Sequence, residues 1–199
     1  MNLLVPPGTK GKSVDLEQTF TATMLDEAKA VYEKAVKRLQ QPSSWHKLTG
    51  DPGAVFTVKD PSTMAEKKSA AINDLIKIDL PAPGSPAGDG HDWVKVEKIS
   101  RDFDEQADES FGLLAKVTEN PEDPEKGIAH FFAEGASSTF IIKRKGSTVT
   151  ASYHGRNETP NTENPGLADK VRNTIVALGA LAGISELQWK ALLKGFIDK

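Results

Sequence analysis

The sequence predicts an α+β fold: an N-terminal amphipathic helix, a roughly six-stranded and mainly antiparallel sheet, and a C-terminal helical pair packed on that sheet. Three observations predict it. Apolar residues recur at helical spacing between Asp15 and Gln41, the period drops to two from about residue 54, and helical spacing returns after Gly166.

Residues 1–14 are expected to form a flexible N-terminal arm, since Pro6, Pro7, Gly8 and Gly11 interrupt any regular element. Residues 15–199 are expected to form a single α+β domain. The first helix is read from Phe20, Met24, Ala28, Val31, Ala35 and Leu39, three or four residues apart, with Pro42 as its stop.

Strands are read at Val55–Val58, Leu75–Leu80, Trp93–Ile99, Phe111–Val117, Ile128–Phe132, Thr139–Lys143 and Thr148–His154. Residues 60–73 fit either a helical turn or a polar hairpin. Arg144-Lys145-Gly146-Ser147 reads as a hairpin turn. Short connections favour antiparallel pairing, because parallel strands need crossovers of a dozen or more residues. Leu167, Val171, Ile175, Leu178 and Leu181 form the stripe of the next helix, and Gly183 stands where it would end. Ser185-Glu-Leu-Gln188 is a capping box for a last helix, whose face is Trp189, Leu192, Leu193, Phe196 and Ile197.

Composition narrows the function classes. A net charge of -3 over 199 residues speaks against nucleic acid and anionic membrane, both of which need a basic surface. No apolar run is long enough to span a bilayer, and the N-terminus lacks the pattern of a signal peptide. A cytoplasmic location is therefore expected. The chain has no cysteine, which removes disulfides, thiolate metal sites and cysteine nucleophiles.

Several segments carry chemistry-bearing residues. Asp89, His91 and Asp92 fall within four positions of one loop and are metal-ligand types, although no fourth ligand stands at a recognisable spacing. Otherwise this segment is a strand-entry turn. The glycines of Gly84–Gly90 lack both the phosphate-loop pattern and a following helix, and their prolines remove donors. Strand alternation would place Ser152, His154, Arg156 and Glu158 on one face. His154, Arg156 and Glu158 together could bind an anionic ligand or support acid–base chemistry; the alternative is a solvated strand end.

His130 sits in an apolar stretch and reads as a satisfied core histidine, and His46 has no evident partner. The acidic run from Asp102 to Glu125 reads as solvated loops flanking a strand, and Lys143-Arg144-Lys145 as a turn kept soluble by charge. No serine-hydrolase elbow, zinc-protease pair or dinucleotide fingerprint occurs, and no cofactor is implied.

In element order alone, the helix, antiparallel sheet and C-terminal helices resemble the helix-grip proteins, which hold apolar ligands between a curved sheet and one long final helix. The break at Gly183-Ile184-Ser185 departs from that pattern, and no motif carries the likeness. Three functions follow as expectations. The leading one is a non-enzymatic binding or protein-interaction module with an unknown protein or small-molecule partner. The second is a small apolar-ligand carrier with its pocket between sheet and helices. The third is a hydrolase or lyase using His154, Arg156 and Glu158.

Overall fold

The computed structural model describes residues 4–49, 54–80, 85–102, 104–161 and 186–198. Its eight strands are β1 (Lys12–Thr21), β2 (Val55–Lys59), β3 (Glu66–Lys67), β4 (Leu75–Asp79), β5 (Asp92–Arg101), β6 (Glu109–Val117), β7 (Ser137–Lys145) and β8 (Thr148–Glu158). Helix α1 spans Leu25–Leu39, α2 is the single turn His46–Thr49, and α3 covers residues 186–197. The strands make one antiparallel sheet in the order β1-β8-β7-β6-β5-β4-β2-β3.

The start of the chain corrects the expected helix at 15–41. Lys12–Thr21 is an edge strand, and the helix begins only at Leu25. Val14, Leu16 and Phe20 alternate with Asp15, Glu17 and Thr19, so their true period is two. Val14, Leu16 and Phe20 pack on the main core, whereas Met24, counted in the helical stripe, is exposed, as is Leu25. The α1 face that is buried is Ala28, Val31, Tyr32, Ala35, Val36 and Leu39.

One further correction concerns the sheet. Ile128–Phe132 is not a strand; it is held by the bridges Glu119↔Ile128 and Phe132↔Pro160 and by single bonds such as that from the Trp93 amide to the Ala129 carbonyl. Residues 60–73 contribute turns and the two-residue β3. The hairpin between β7 and β8 is tighter than expected, with Gly146 at φ 57° in the two-residue turn. The helix expected over 167–182, its stop at Gly183 and the cap at Ser185 lie outside the described residues. The last helix of the expected pair is present as α3.

The sheet has two covered faces. Val58, Ile76, Val96, Phe111, Leu113, Phe140, Ile142, Val149, Ala151 and Tyr153 point to the inner face, where α1 and α3 pack. Trp45 fills the centre, 5.0 Å from Phe56, 5.0 Å from Phe140 and 5.6 Å from Phe196 between ring centroids. Its indole donates to the Arg38 carbonyl. Aromatic pairs at this separation add about 0.5–1.5 kcal/mol each beyond their buried area. Arg38 also closes the end of α3: Nη1 donates to the carbonyls of Gly195, Phe196 and Asp198 at 2.8, 3.0 and 2.5 Å. Gly195 lets α3 approach α2, since a Cβ there would stand 2.8 Å from both Leu48 Cβ and Leu48 O.

On the outer face, residues 4–10 lie across the sheet. Leu4 is buried with Leu114 and Ile141. Asn157 Oδ1 accepts the amides of Thr9 and Lys10. The acidic run is mostly engaged rather than loosely solvated at its first half. Asp104 pairs with Lys143, while Asp108 and Glu109 clamp buried Arg144. These contacts neutralise the basic hairpin.

Candidate functional site

The sequence groups Ser152, His154, Arg156 and Glu158, and the fold separates them. Ser152, His154 and Arg156 do share the outer face of β8. The pairing with β1 runs Leu16↔Tyr153, Val14↔Gly155 and then Lys12↔Glu158, which leaves one extra residue on β8. Asn157 absorbs that bulge at φ 57°, a conformation asparagine tolerates better than most residues. The alternation is thereby broken, and Glu158 turns back beneath Gly155 to meet Tyr153 on the inner side.

The outer group is a linear network. His154 Nε2 lies 3.2 Å from Ser152 Oγ, and its Nδ1 lies 2.5 Å from Asp15 Oδ1. Arg156 donates to Asp15 at 2.7 Å and to the carbonyls of Val14 and Gly155 at 3.1 and 2.8 Å. Burial alone would raise the Asp15 pKa, but the bonds and charges of Arg156 and His154 hold it below the ordinary carboxylate value. The order hydroxyl–imidazole–carboxylate is that of an acyl-transfer relay. Here, however, the guanidinium occupies the carboxylate and the neighbouring carbonyls. The network chiefly fastens β1 to β8.

The inner group is smaller and drier. Tyr153 is 3% exposed. Its hydroxyl lies 3.2 Å from Ser138 Oγ and donates to Glu158 Oε1 at 3.3 Å. Burial pushes the Glu158 carboxyl above its ordinary pKa; Lys12 and the Tyr153 bond offset this only in part. Burial likewise pushes the Tyr153 phenol up. The Trp189 ring of α3 stacks on Tyr153 at 4.9 Å and 15°, and it also meets Phe140 at 5.4 Å and Phe56 at 6.2 Å. Lys12 pairs with Glu186 at 2.7 Å and ties the start of β1 to α3. Gly155 makes this possible, because a Cβ there would fall 2.1 Å from Glu158 Oε1 and 3.0 Å from the Tyr153 hydroxyl. A polar pair therefore sits at the edge of an aromatic floor, under a helix whose Trp189 is only partly buried.

Asp89, His91 and Asp92 do not converge. Asp89 bonds Lys126 and Asn120. His91 Nδ1 lies against Asp79. Asp92 is buried and accepts the amides of Ser85 and Phe131. Among the described residues, no three His, Asp or Glu side chains gather as metal ligands would. His130 accepts the Phe132 amide at 2.9 Å, and burial lowers its pKa against the opposing charge of Asp92. That environment fits the satisfied core histidine. His91, His130 and His154 answer to three different carboxylates, Asp79, Asp92 and Asp15.

Sequence reading missed Tyr153, Trp189 and Ser138 as site residues. Tyr153 and Trp189 carried no signal beyond apolar periodicity, and Ser138 carried none. The one legible hint was Gly155, inside a strand and next to the bulge.

No family model matches the chain, and no curated protein matches it in sequence. In structure it is similar to hypothetical protein jhp0584 from Helicobacter pylori, with a TM-score of 0.51 and 12% identity over 96% of this chain and 89% of that one. It also aligns with protein Ms6760 from Mycobacterium smegmatis at a TM-score of 0.42, with 15% identity over 96% and 98% of the two chains. Ara h 8.0201 aligns at 0.40, with 13% identity over 94% and 100%. At such identities the likeness concerns fold alone, and only the first is near enough to carry an argument. Among the described residues no helix is long and apolar enough to cross a membrane. An N-terminal strand and helix, an eight-stranded antiparallel sheet and a C-terminal helix on its inner face give the described residues the helix-grip arrangement.

Proposed function

We propose that the chain is a small-molecule carrier, holding a flat and mainly apolar ligand between the sheet and α3, with the Tyr153–Glu158 pair engaging one polar end. The carrying observation is that pair itself. A phenol and a carboxyl with raised pKa lie together beside the aromatic rings of Phe140 and Trp189, where an apolar core alone would need neither. The far end of the interior is filled by Trp45 and Phe196, so the ligand's place is at the partly buried Trp189 side.

The protein-interaction reading has less behind it. Among the described residues, the exposed large apolar ones are Met24, Leu25, Val55, Ile72, Leu80 and Leu187, spread over the start of α1, β2, the flanks of β4 and α3. The fold and the buried pair favour the carrier. The neutral probe N-phenyl-1-naphthylamine tests it. Saturable fluorescence enhancement, weakened at least tenfold by Trp189→Ala and unchanged by Trp93→Phe, is the expected result. Absence of saturable binding, or binding indifferent to Trp189→Ala, would refute it.

A further inference from the structure

The hydrogen bonds and charges around Glu158 decide what kind of polar end the carrier would accept. The Tyr153 hydroxyl donates to Glu158 Oε1 at 3.3 Å, and with that proton committed it accepts from the Ser138 hydroxyl, 3.2 Å away. Neither hydroxyl then has a proton left for a ligand. Glu158 is the opposite case. An ionised carboxylate offers about four acceptor sites, and among the described residues its one hydrogen-bond donor is Tyr153. The Glu158 side chain is only part-buried, and its Oε2 is not among the sealed, unpaired polar atoms of the described residues.

The nearby cations are already engaged. Lys12 stands opposite Glu158 in the β1–β8 register, but its ammonium lies 2.7 Å from Glu186 of α3. Arg156 turns to the other face of the sheet, where it holds Asp15 and the carbonyls of Val14 and Gly155. Glu158 and Glu186 against Lys12 therefore leave one negative charge unmatched where β8 meets α3. A carboxylate on the ligand would add a like charge and bring no donor. An ammonium brings three donors and the opposite charge.

We infer that the carried molecule ends in a protonated amine, which donates to Glu158 Oε2 while the flat apolar body lies against Trp189; this rests on the carrier function proposed for the same site and adds the charge of what is carried. A charge-assisted hydrogen bond of this kind is roughly twice as strong as a neutral one. The rings reinforce it. Trp189 stacks on Tyr153 at 4.9 Å and meets Phe140 at 5.4 Å between centroids, and aromatic faces attract a cation held near them. A cation in contact also favours the ionised form of a carboxyl that burial holds back in the free protein.

Three probes that share one ring system and differ in charge test this by isothermal titration calorimetry on the full chain at neutral pH. They are 1-naphthylmethylamine, 1-naphthylmethanol and 1-naphthylacetic acid. The amine should bind at least threefold more tightly than the alcohol and at least tenfold more tightly than the acid. Glu158→Gln should bring the amine to the affinity of the alcohol and leave the alcohol unchanged. Should that variant not fold, the carbon-13 signal of the Glu158 carboxyl in the wild-type chain reads the same contact: its titration should move to lower pH with the amine and stay in place with the alcohol. Equal affinity of amine and alcohol, equal or tighter binding of the acid, an amine affinity unmoved by Glu158→Gln, or an unmoved Glu158 titration would each overturn the assignment and leave the carrier standing. Absence of binding by all three probes would overturn both.

Discussion

Replacing Gly195 by alanine should destabilise the protein, although alanine is the better helix former. In an exposed helix the change would gain about 0.8–1.0 kcal/mol from propensity. At Gly195 the new Cβ would stand 2.8 Å from Leu48 Cβ, 2.8 Å from Leu48 O and 3.3 Å from Leu48 C. Ordinary contact begins near 3.4 Å, so α3 and α2 must separate by several tenths of an ångström. Backbone and Cβ atoms cannot rotate aside as a side-chain tip can. Overpacking of this kind costs about 1–3 kcal/mol, which offsets the propensity gain and leaves a net loss of up to about 2 kcal/mol. In a chain of this length that lowers the melting midpoint by roughly 2–4 °C per kcal/mol. Urea melts followed by both tryptophan fluorescence and circular dichroism measure it. Leu48→Gly in the Gly195→Ala background should recover part of the coupling, because it removes the crowding Cβ, which alanine would keep, but not the Leu48 carbonyl. A gain in stability close to the propensity figure would show that α3 does not approach α2 in this way.

Three other perturbations read separate parts of the structure. Arg38→Met keeps the apolar stem but leaves the last carbonyls of α3 without their donor, and should cost about 1–3 kcal/mol by denaturant melt. Arg156→Ala should cost roughly 1–2 kcal/mol and let the Asp15 pKa, followed by carbon-13 NMR, rise toward its ordinary value. Because the folded-state pKa of Glu158 is raised, the native state holds its proton more tightly than the unfolded chain does. That contribution is complete below the ordinary carboxylate pKa and is lost as pH rises through the raised one. Glu158→Gln should therefore flatten the decline in stability from about pH 4.5 toward neutrality, as read by melts at stepped pH.

Much of the sheet was legible because its inner strands alternate cleanly. Leu75–Asp79, Glu109–Val117 and Ser137–Lys145 emerge within a few residues of where periodicity places them. The edge strand β1 was not. Phe20, Met24 and Ala28 fall four apart by coincidence across a strand–helix junction, and a window spanning that junction reads as one helix. The site was half legible. His154 and Arg156 share a face as alternation requires, but Glu158 leaves it through a bulge that exists only because β1 pairs with β8. A cross-strand register has no signature in one strand's own residues. Trp45 was passed over for a related reason: it lies outside any periodic element, and only tertiary packing makes it the centre of the core.

In the proposed carrier, ligand enters beside Trp189 and meets Tyr153 and Glu158. Intermolecular nuclear Overhauser effects between bound N-phenyl-1-naphthylamine and the labelled protein test it most directly. Contacts from the naphthyl protons to the rings of Phe140, Tyr153 and Trp189 are the predicted result. Contacts confined to the outer face around Trp93, or to the exposed surface of α1, would contradict it.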